Sequence, residues 1–252
     1  MNATPILATH NLGLDIGGAT IVADVSLEVP EGEFLGIIGP NGAGKTSLFN
    51  LLSGLYRPTA GRVELDGHDI TNEPPYRRTQ AGLGRTFQIS SVFPRLSALE
   101  NVRLAAEAKL GGMGRVWRRA LRVREAVERA RWALDRVGLG DREGVPAGSL
   151  AHGDKRKLEL AMLLARDPRV ILLDEPMAGV SMEDVPQLVE LTKTVQAEEG
   201  KTVLMVEHHI DVVTGVADRI AVMHHGRLLA CDTPKRVMEN ETVQAAYVGE
   251  PL

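Results

Sequence analysis

The apolar positions of the chain change period several times, and each change marks an element. Val25, Leu27 and Val29 alternate with Ser26 and Glu28, the period-two pattern of a half-buried strand. Residues 33–39, Glu-Phe-Leu-Gly-Ile-Ile-Gly, are almost continuously apolar, as in a strand covered on both faces. After a glycine-rich stretch the period becomes helical. Leu48, Leu51, Leu52 and Leu55 stand at i, i+3, i+4 and i+7, and Gly54 with Pro58 marks the stop. Residues 62–70 predict a hairpin turning at Asp66-Gly67. From residue 98 to 165 the pattern is helical. Strands return at 169–175, 202–207 and 218–230, the last a hairpin around Gly226. A helix over 184–199 closes at Gly200; Pro186 is tolerated only in a first turn, so this helix starts after Ser181. The order predicts a mixed α/β core with a helical insertion and no internal repeat.

Composition narrows the picture. The 252 residues are 44% hydrophobic and 4% aromatic, enough for one large or two small domains with a substantial core. A net charge of -4 gives no case for a nucleic-acid partner. Cys231 is the single cysteine, so an internal disulfide is excluded. The first residues carry no basic region followed by an apolar one, and no signal peptide is expected. The apolar runs at 34–39, 170–173 and 202–206 are too short to cross a bilayer. Work at a membrane would require a partner to hold the chain there.

Two motifs carry chemistry. Residues 39–46, Gly-Pro-Asn-Gly-Ala-Gly-Lys-Thr, fit the phosphate-loop pattern G-x-x-x-x-G-K-[ST], with a buried strand before and an amphipathic helix after. Gly39, Gly42 and Gly44 let backbone N–H groups close on phosphate oxygens, and the helix N-terminus adds positive dipole. Pro40, Asn41 and Ala43 complete the loop, and Ser47 follows it in the helix. Lys45 is expected to reach the β- and γ-phosphates, and the Thr46 hydroxyl to ligate Mg²⁺. The second motif, Val170-Ile-Leu-Leu-Asp-Glu-Pro176, ends a buried strand with two acids. Burial beside four aliphatic residues is costly unless the acids lie at the strand end with a cation or water. Asp174 is the candidate Mg²⁺ acid, and Glu175 is placed to orient or deprotonate an attacking water.

The order of further motifs resembles that of ATP-binding-cassette (ABC) ATPases. Arg85-Thr-Phe-Gln88 places Gln88 where that family has the glutamine that senses the γ-phosphate and Mg²⁺ and contacts membrane subunits. Leu150-Ala-His-Gly-Asp154 lies where the family signature belongs. His208 stands at the switch histidine. The resemblance implies an α/β fold: a P-loop NTPase (RecA-like) core with an antiparallel β subdomain and an inserted helical subdomain. The chain would then be a single cassette over 1–252, its helical part at about 92–155 and its C-terminal tail at about 232–252. Segments such as 84–105, 150–161, 173–181, 206–213 and 232–250 are more closely similar to the ATPase subunits of branched-chain (hydrophobic) amino-acid importers. That implies ATP and Mg²⁺ as ligands. It also implies two permease subunits, a second related ATPase or a homodimer, and a binding protein reached through the permeases. The place would be the cytoplasmic face of the inner membrane, peripheral.

Within this resemblance Leu150, Ala151, His152, Gly153 and Asp154 would cap the γ-phosphate held by a second subunit. Three positions depart from the general pattern. Ala151 replaces a serine whose bond would be worth about 1.5–3 kcal/mol. Ile16 replaces the aromatic ring stacked on adenine. Ser181 replaces an aspartate that couples the two sites. The adjacent pairs His208-His209 and His224-His225 are expected to point to opposite faces of strands and so not to share a metal. Residues 114–138 hold eight arginines against two glutamates and one aspartate, with Trp117 and Trp132. A solvated helix packed by its apolar side is favoured over an anionic-membrane surface. The alternatives to an importer ATPase are a soluble ABC ATPase of translation or DNA repair and a small-molecule kinase. The single cassette without a long coiled coil speaks against the former, and the signature with its switch histidine against the latter.

Overall fold

The computed structural model describes residues 4–86, 92–110 and 116–247, the side chains of 110, 116–122 and 247 excepted. The chain divides into two compact units, residues 1–85, 169–175 and 192–252 forming one and residues 86–168 and 176–191 the other.

The first unit is built on two sheets. Strands β1 (Leu7–Ile16) and β2 (Ala19–Val29) pair as a hairpin with several register shifts. Strands β4 (Ala60–Leu65) and β5 (His68–Asp69) extend this antiparallel sheet in the order β2-β1-β4-β5. The turn between them has Asp66 and Gly67 both at positive φ, as the Asp-Gly pair predicts. The second sheet is mainly parallel. It contains β3 (Phe34–Ile38), β6 (Leu83–Arg85), β7 (Val170–Asp174), β8 (Thr202–Val206), β9 (Arg219–His224) and β10 (Arg227–Asp232), in the order β10-β9-β3-β8-β7-β6. Strands β3, β7 and β8 are buried at every residue, which explains why they are apolar apart from Asp174 and Thr202 at strand ends.

Helix α1 (Lys45–Ser53) follows β3 directly. Leu48, Phe49, Leu51 and Leu52 join one apolar cluster with residues of both sheets, among them Leu12, Val22, Val63, Ile37 and Leu172. Each such aliphatic side chain contributes about 1.5–3 kcal/mol by leaving water. The helix ends where Gly54 turns left-handed and its N–H caps Leu51 O. Leu55 therefore lies beyond the helix and is half-exposed; the fourth position of the sequence stripe does not belong to it. Ile38 faces a second cluster with Val213, Ile220, Val222, Val237 and Val243. A Cβ on Gly36 would lie 2.1 Å from Val213 Cγ1, so the glycine in β3 is what lets the helix carrying Val213 approach.

Several elements carry no signal in the apolar pattern: β1 itself, α2 (Pro75–Gln80), and α7 (Ile210–Val216), α8 (Pro234–Met238) and α9 (Glu241–Tyr247). In the second unit α3 (Ala98–Leu110), α4 (Val116–Arg136) and α5 (His152–Ala165) pack together through Val102, Ala106, Ala126, Ala130, Ala133, Leu134 and Leu158. The described arginines of α4 are engaged locally. Arg124 pairs with Glu128 and Arg131 with Glu143, while Arg129 lies over the Trp132 ring and near Asp167. Helix α6 (Val185–Glu199) carries Pro186 in its first turn and stops before a left-handed Gly200, as expected.

Candidate functional site

In the first unit β3, β7 and β8 run parallel, so Ile38, Asp174 and Val206 end at one edge of the sheet. Ligands in open α/β sheets bind at this carboxyl edge. The glycine-rich loop leaves β3 there. A Cβ on Gly39 would meet Met223 O at 2.1 Å, and one on Gly44 would meet Ile21 O at 2.9 Å. Gly42 and Gly44 have φ of 78° and 97°. Asn41 and Gly42 are exposed at the loop tip, whereas Ala43 is buried beneath it. Lys45 folds over the loop, donating from Nζ to Gly39 O and to Pro40 O at 2.9 Å. Thr46 and Ser47 stand in the first turn of α1 and are half-buried. No side chain caps this helix start and no acid lies in its first turn. Its first turn carries the leading N–H groups and the positive end of the dipole, the chemistry that suits an anion.

Asp174 is the last residue of β7 and almost wholly buried. Its Oδ2 accepts from Arg85 Nη2 at 2.6 Å. Burial pushes this carboxyl above the usual aspartate range; the Arg85 bond and charge pull it back, and the charge of Glu175 adds to the rise. Arg85, at the end of β6, is the cation that the buried strand-end acid called for, and sequence reasoning missed it. Its three-residue strand, Leu83–Arg85, is too short to show a period, so the only sequence signal was an arginine three residues before Gln88.

Glu175 adopts a left-handed backbone, φ 49°, at the exit from β7. Its Oε1 lies 2.9 Å from His208 Nε2. The histidine comes from the loop after β8, so two parallel strands bring together residues 33 positions apart. The expectation that both histidine pairs lie in strands with opposed side chains is corrected. His208 and His209 lie outside β8, and His225 is a left-handed turn residue whose ring lies 4.1 Å from that of His224. Among the described residues no cluster of three His, Cys, Asp or Glu could hold a metal by itself. Mg²⁺ at a nucleotide site binds through one or two protein oxygens together with phosphates. The Thr46 hydroxyl and the Asp174 carboxylate have the right chemistry for such a share. Ile16, half-exposed, ends β1 beside the left-handed Gly17-Gly18 turn. Gln88 lies outside the described residues.

The second unit carries the 150–154 segment. Leu150 is buried, and Ala151 stands at the N-cap of α5 with extended ψ of 162° and no side-chain cap. His152 is exposed and packs against Gly179, where a Cβ would come within 2.8 Å of its Nε2. Gly153 lies beside Asp184: its Cβ would stand 3.3 Å from Oδ2, and that oxygen accepts from Ser181 Oγ at 2.7 Å. Asp154 is held by Arg142 and approached by Lys157 at 3.8 Å.

Comparison with known proteins agrees with this geometry. The model of the ABC transporter family matches residues 22–178. The branched-chain amino acid transport ATP-binding protein LivG of Salmonella typhimurium is 37% identical over 253 residues, 98% of each chain. BraF of Pseudomonas aeruginosa, of the same description, is 37% identical over 251 residues, again 98% of each. The ADP conformation of the ATP-binding cassette MJ1267 superposes with a TM-score of 0.85 at 29% identity, covering 98% of this chain and 100% of that one. The post-hydrolysis dimer of the cassette MJ0796, bound to ADP and Pi, gives 0.75 at 28% identity, covering 90% and 98%. A phosphate loop, a strand-end acid pair and a histidine on the second acid, in a fold shared over nearly its whole length, place this chain in the ABC transporter family as one of its ATP-hydrolysing cassettes.

Proposed function

We propose that this chain powers uptake of branched-chain or related hydrophobic amino acids through two permeases. It would sit peripherally on the cytoplasmic face of the membrane and pair with a second copy or a related ATPase. The observation that carries the hydrolytic part is the His208–Glu175 contact of 2.9 Å beside the buried Asp174. The cargo rests on the full-length similarity to LivG and BraF, which also favours an importer over a soluble ATPase. Among the described residues no helix is long and apolar enough to cross a membrane, so the permeases would supply the anchoring.

In this reading the N–H groups of Gly42 to Thr46 and the Lys45 ammonium hold the β- and γ-phosphates. Ile16 gives the adenine apolar contact without stacking. Thr46 and Asp174, with Gln88, would hold Mg²⁺, which when bound neutralises charge that develops on the phosphate oxygens. Glu175 orients the attacking water and takes its proton, and His208 fixes the carboxylate while contacting the γ-phosphate. Residues 150–154 of a second subunit close on the same phosphate through the amides at the start of α5, so Ala151 needs no hydroxyl. ATP favours the closed pair, and hydrolysis releases it. The dimeric MJ0796 structure supports such a pairing.

The Glu175→Gln variant tests this. It should bind ATP, form a stable dimer on size-exclusion chromatography and turn over hardly at all. Near-normal hydrolysis would overturn the role of Glu175. Leucine-stimulated ATPase in vesicles with the permeases and binding protein tests the cargo.

A further inference from the structure

We propose that Arg85 is a positioning residue for the metal-binding carboxylate, fixing Asp174 to the far end of the helix whose near end carries Thr46. The inference rests on the reading of Asp174 as the Mg²⁺ acid.

Three contacts carry it. Arg85 Nη2 donates to Asp174 Oδ2 at 2.6 Å, with side chains only 6% and 2% exposed. Arg85 Nη1 donates to Asn50 Oδ1 and to Ser53 Oγ, both at 2.8 Å. The guanidinium also lies 5.7 Å from the centre of the Phe49 ring. Asn50 and Ser53 are i, i+3 neighbours on one face of α1. Ser53 donates its own proton to Phe49 O at 2.7 Å, which turns a lone pair toward Arg85.

One planar fork therefore bonds β7 on one side and α1 on the other. A lysine would bring a point charge to either partner, not both at fixed geometry. Helix α1 is nine residues long, with Leu48, Phe49, Leu51 and Leu52 in the core, Thr46 in its first turn and Ser53 at its end. Arg85 thus links the two candidate metal oxygens, Thr46 Oγ1 and the Asp174 carboxylate, through one hydrogen-bonded helix whose apolar face is buried. Nearby Arg78, by contrast, is bonded to main-chain carbonyls and ties only segments of backbone. Groups that orient a metal ligand in this way typically cost about 10–100-fold in metal affinity when changed.

The experiment titrates Mg²⁺ against binding of a fluorescent ATP analogue. It uses the full-length wild type, Arg85→Lys, Asn50→Ala and Asp174→Asn, with a parallel series in EDTA and a urea denaturation of each. Arg85→Lys should raise the half-saturating Mg²⁺ concentration at least about tenfold while affinity in EDTA stays within about twofold. Asn50→Ala, which keeps Arg85 but loosens it, should shift Mg²⁺ the same way by less. If Arg85→Lys lowers stability yet leaves the Mg²⁺ midpoint in place, Arg85 is only a staple of the fold and the proposal fails. A lowered midpoint also overturns it, because Arg85 would then compete with the metal. Asp174→Asn separates the two readings. If that variant leaves Mg²⁺ dependence unchanged, the metal role of Asp174 falls and this inference with it. If it shifts the midpoint and Arg85→Lys does not, only Arg85 is wrongly assigned.

Discussion

Arg78 ranks first by volume among the fully buried side chains of the described residues, and its removal should cost the first unit measurably. The guanidinium donates to Leu51 O and Leu52 O at 2.7 Å, to Thr71 O at 2.8 Å and to Glu73 O at 3.0 Å. Leu51 and Leu52 belong to the last turn of α1, where carbonyls lack helical partners and a cation complements the dipole. Burial pushes the Arg78 pKa down to about 10, so the charge persists at neutral pH. Arg78→Met keeps most of the stem and removes every donor. Glu73 is exposed, so water replaces that bond, and Leu51 O retains the Gly54 N–H at 3.2 Å. Leu52 O and, in part, Thr71 O are then stranded, at about 1–3 kcal/mol for each buried acceptor. Relief of the buried charge offsets some of this, leaving a net loss of about 2 kcal/mol. For a chain of this size that is a fall in Tm of about 4–8 °C. Urea denaturation read by far-ultraviolet circular dichroism and by tryptophan fluorescence checks it. Both tryptophans, Trp117 and Trp132, belong to the second unit. If the units unfold separately, the dichroism transition moves and the fluorescence transition stays. A loss below about 1 kcal/mol, or a shift in fluorescence alone, would refute the reasoning.

Two further outcomes follow from the same unit. Gly39→Ala places a methyl 2.1 Å from Met223 O and must displace the loop, so ATP affinity should fall at least about tenfold; unchanged binding in a fluorescence titration would contradict this. Burial raises the Glu33 carboxyl above its usual range, against the opposing charge and hydrogen bond of Arg219. The folded state therefore holds this proton more tightly than the unfolded chain does, and stability falls as pH rises from the ordinary glutamate value through the raised one. Glu33→Gln removes that slope. The stability of the variant relative to wild type should increase as pH rises above the ordinary glutamate value, and a constant difference in urea midpoints would exclude the effect.

Much of the site was legible because its chemistry is local in sequence. A phosphate loop needs its glycines, lysine and threonine consecutively at a strand–helix junction, and Gly39 to Thr46 lie at the junction of β3 and α1. Asp174 and Glu175 announced themselves as acids at the end of an apolar run. Leu55 was counted in the stripe because helical periodicity carries past Gly54, although the left-handed glycine ends the helix at Ser53, two residues earlier. The short helices α2, α7, α8 and α9 are too brief to show a period, and β1 lies in a stretch whose apolar and polar residues do not alternate cleanly, its pairing being interrupted by register shifts.

By itself the sequence determined the class of the core, the phosphate loop and the identity of the acids, because each depends on neighbours within a few positions. Tertiary structure alone decided what stands opposite them. Arg85 reaches Asp174 across 89 positions and His208 reaches Glu175 across 33, because β6, β7 and β8 pair in parallel and bring their ends to one edge. A buried carboxylate demands a countercharge, and sequence can state that demand. Which of the 29 lysines and arginines meets it is set by strand order, a property of the packed sheet and not of any segment within it.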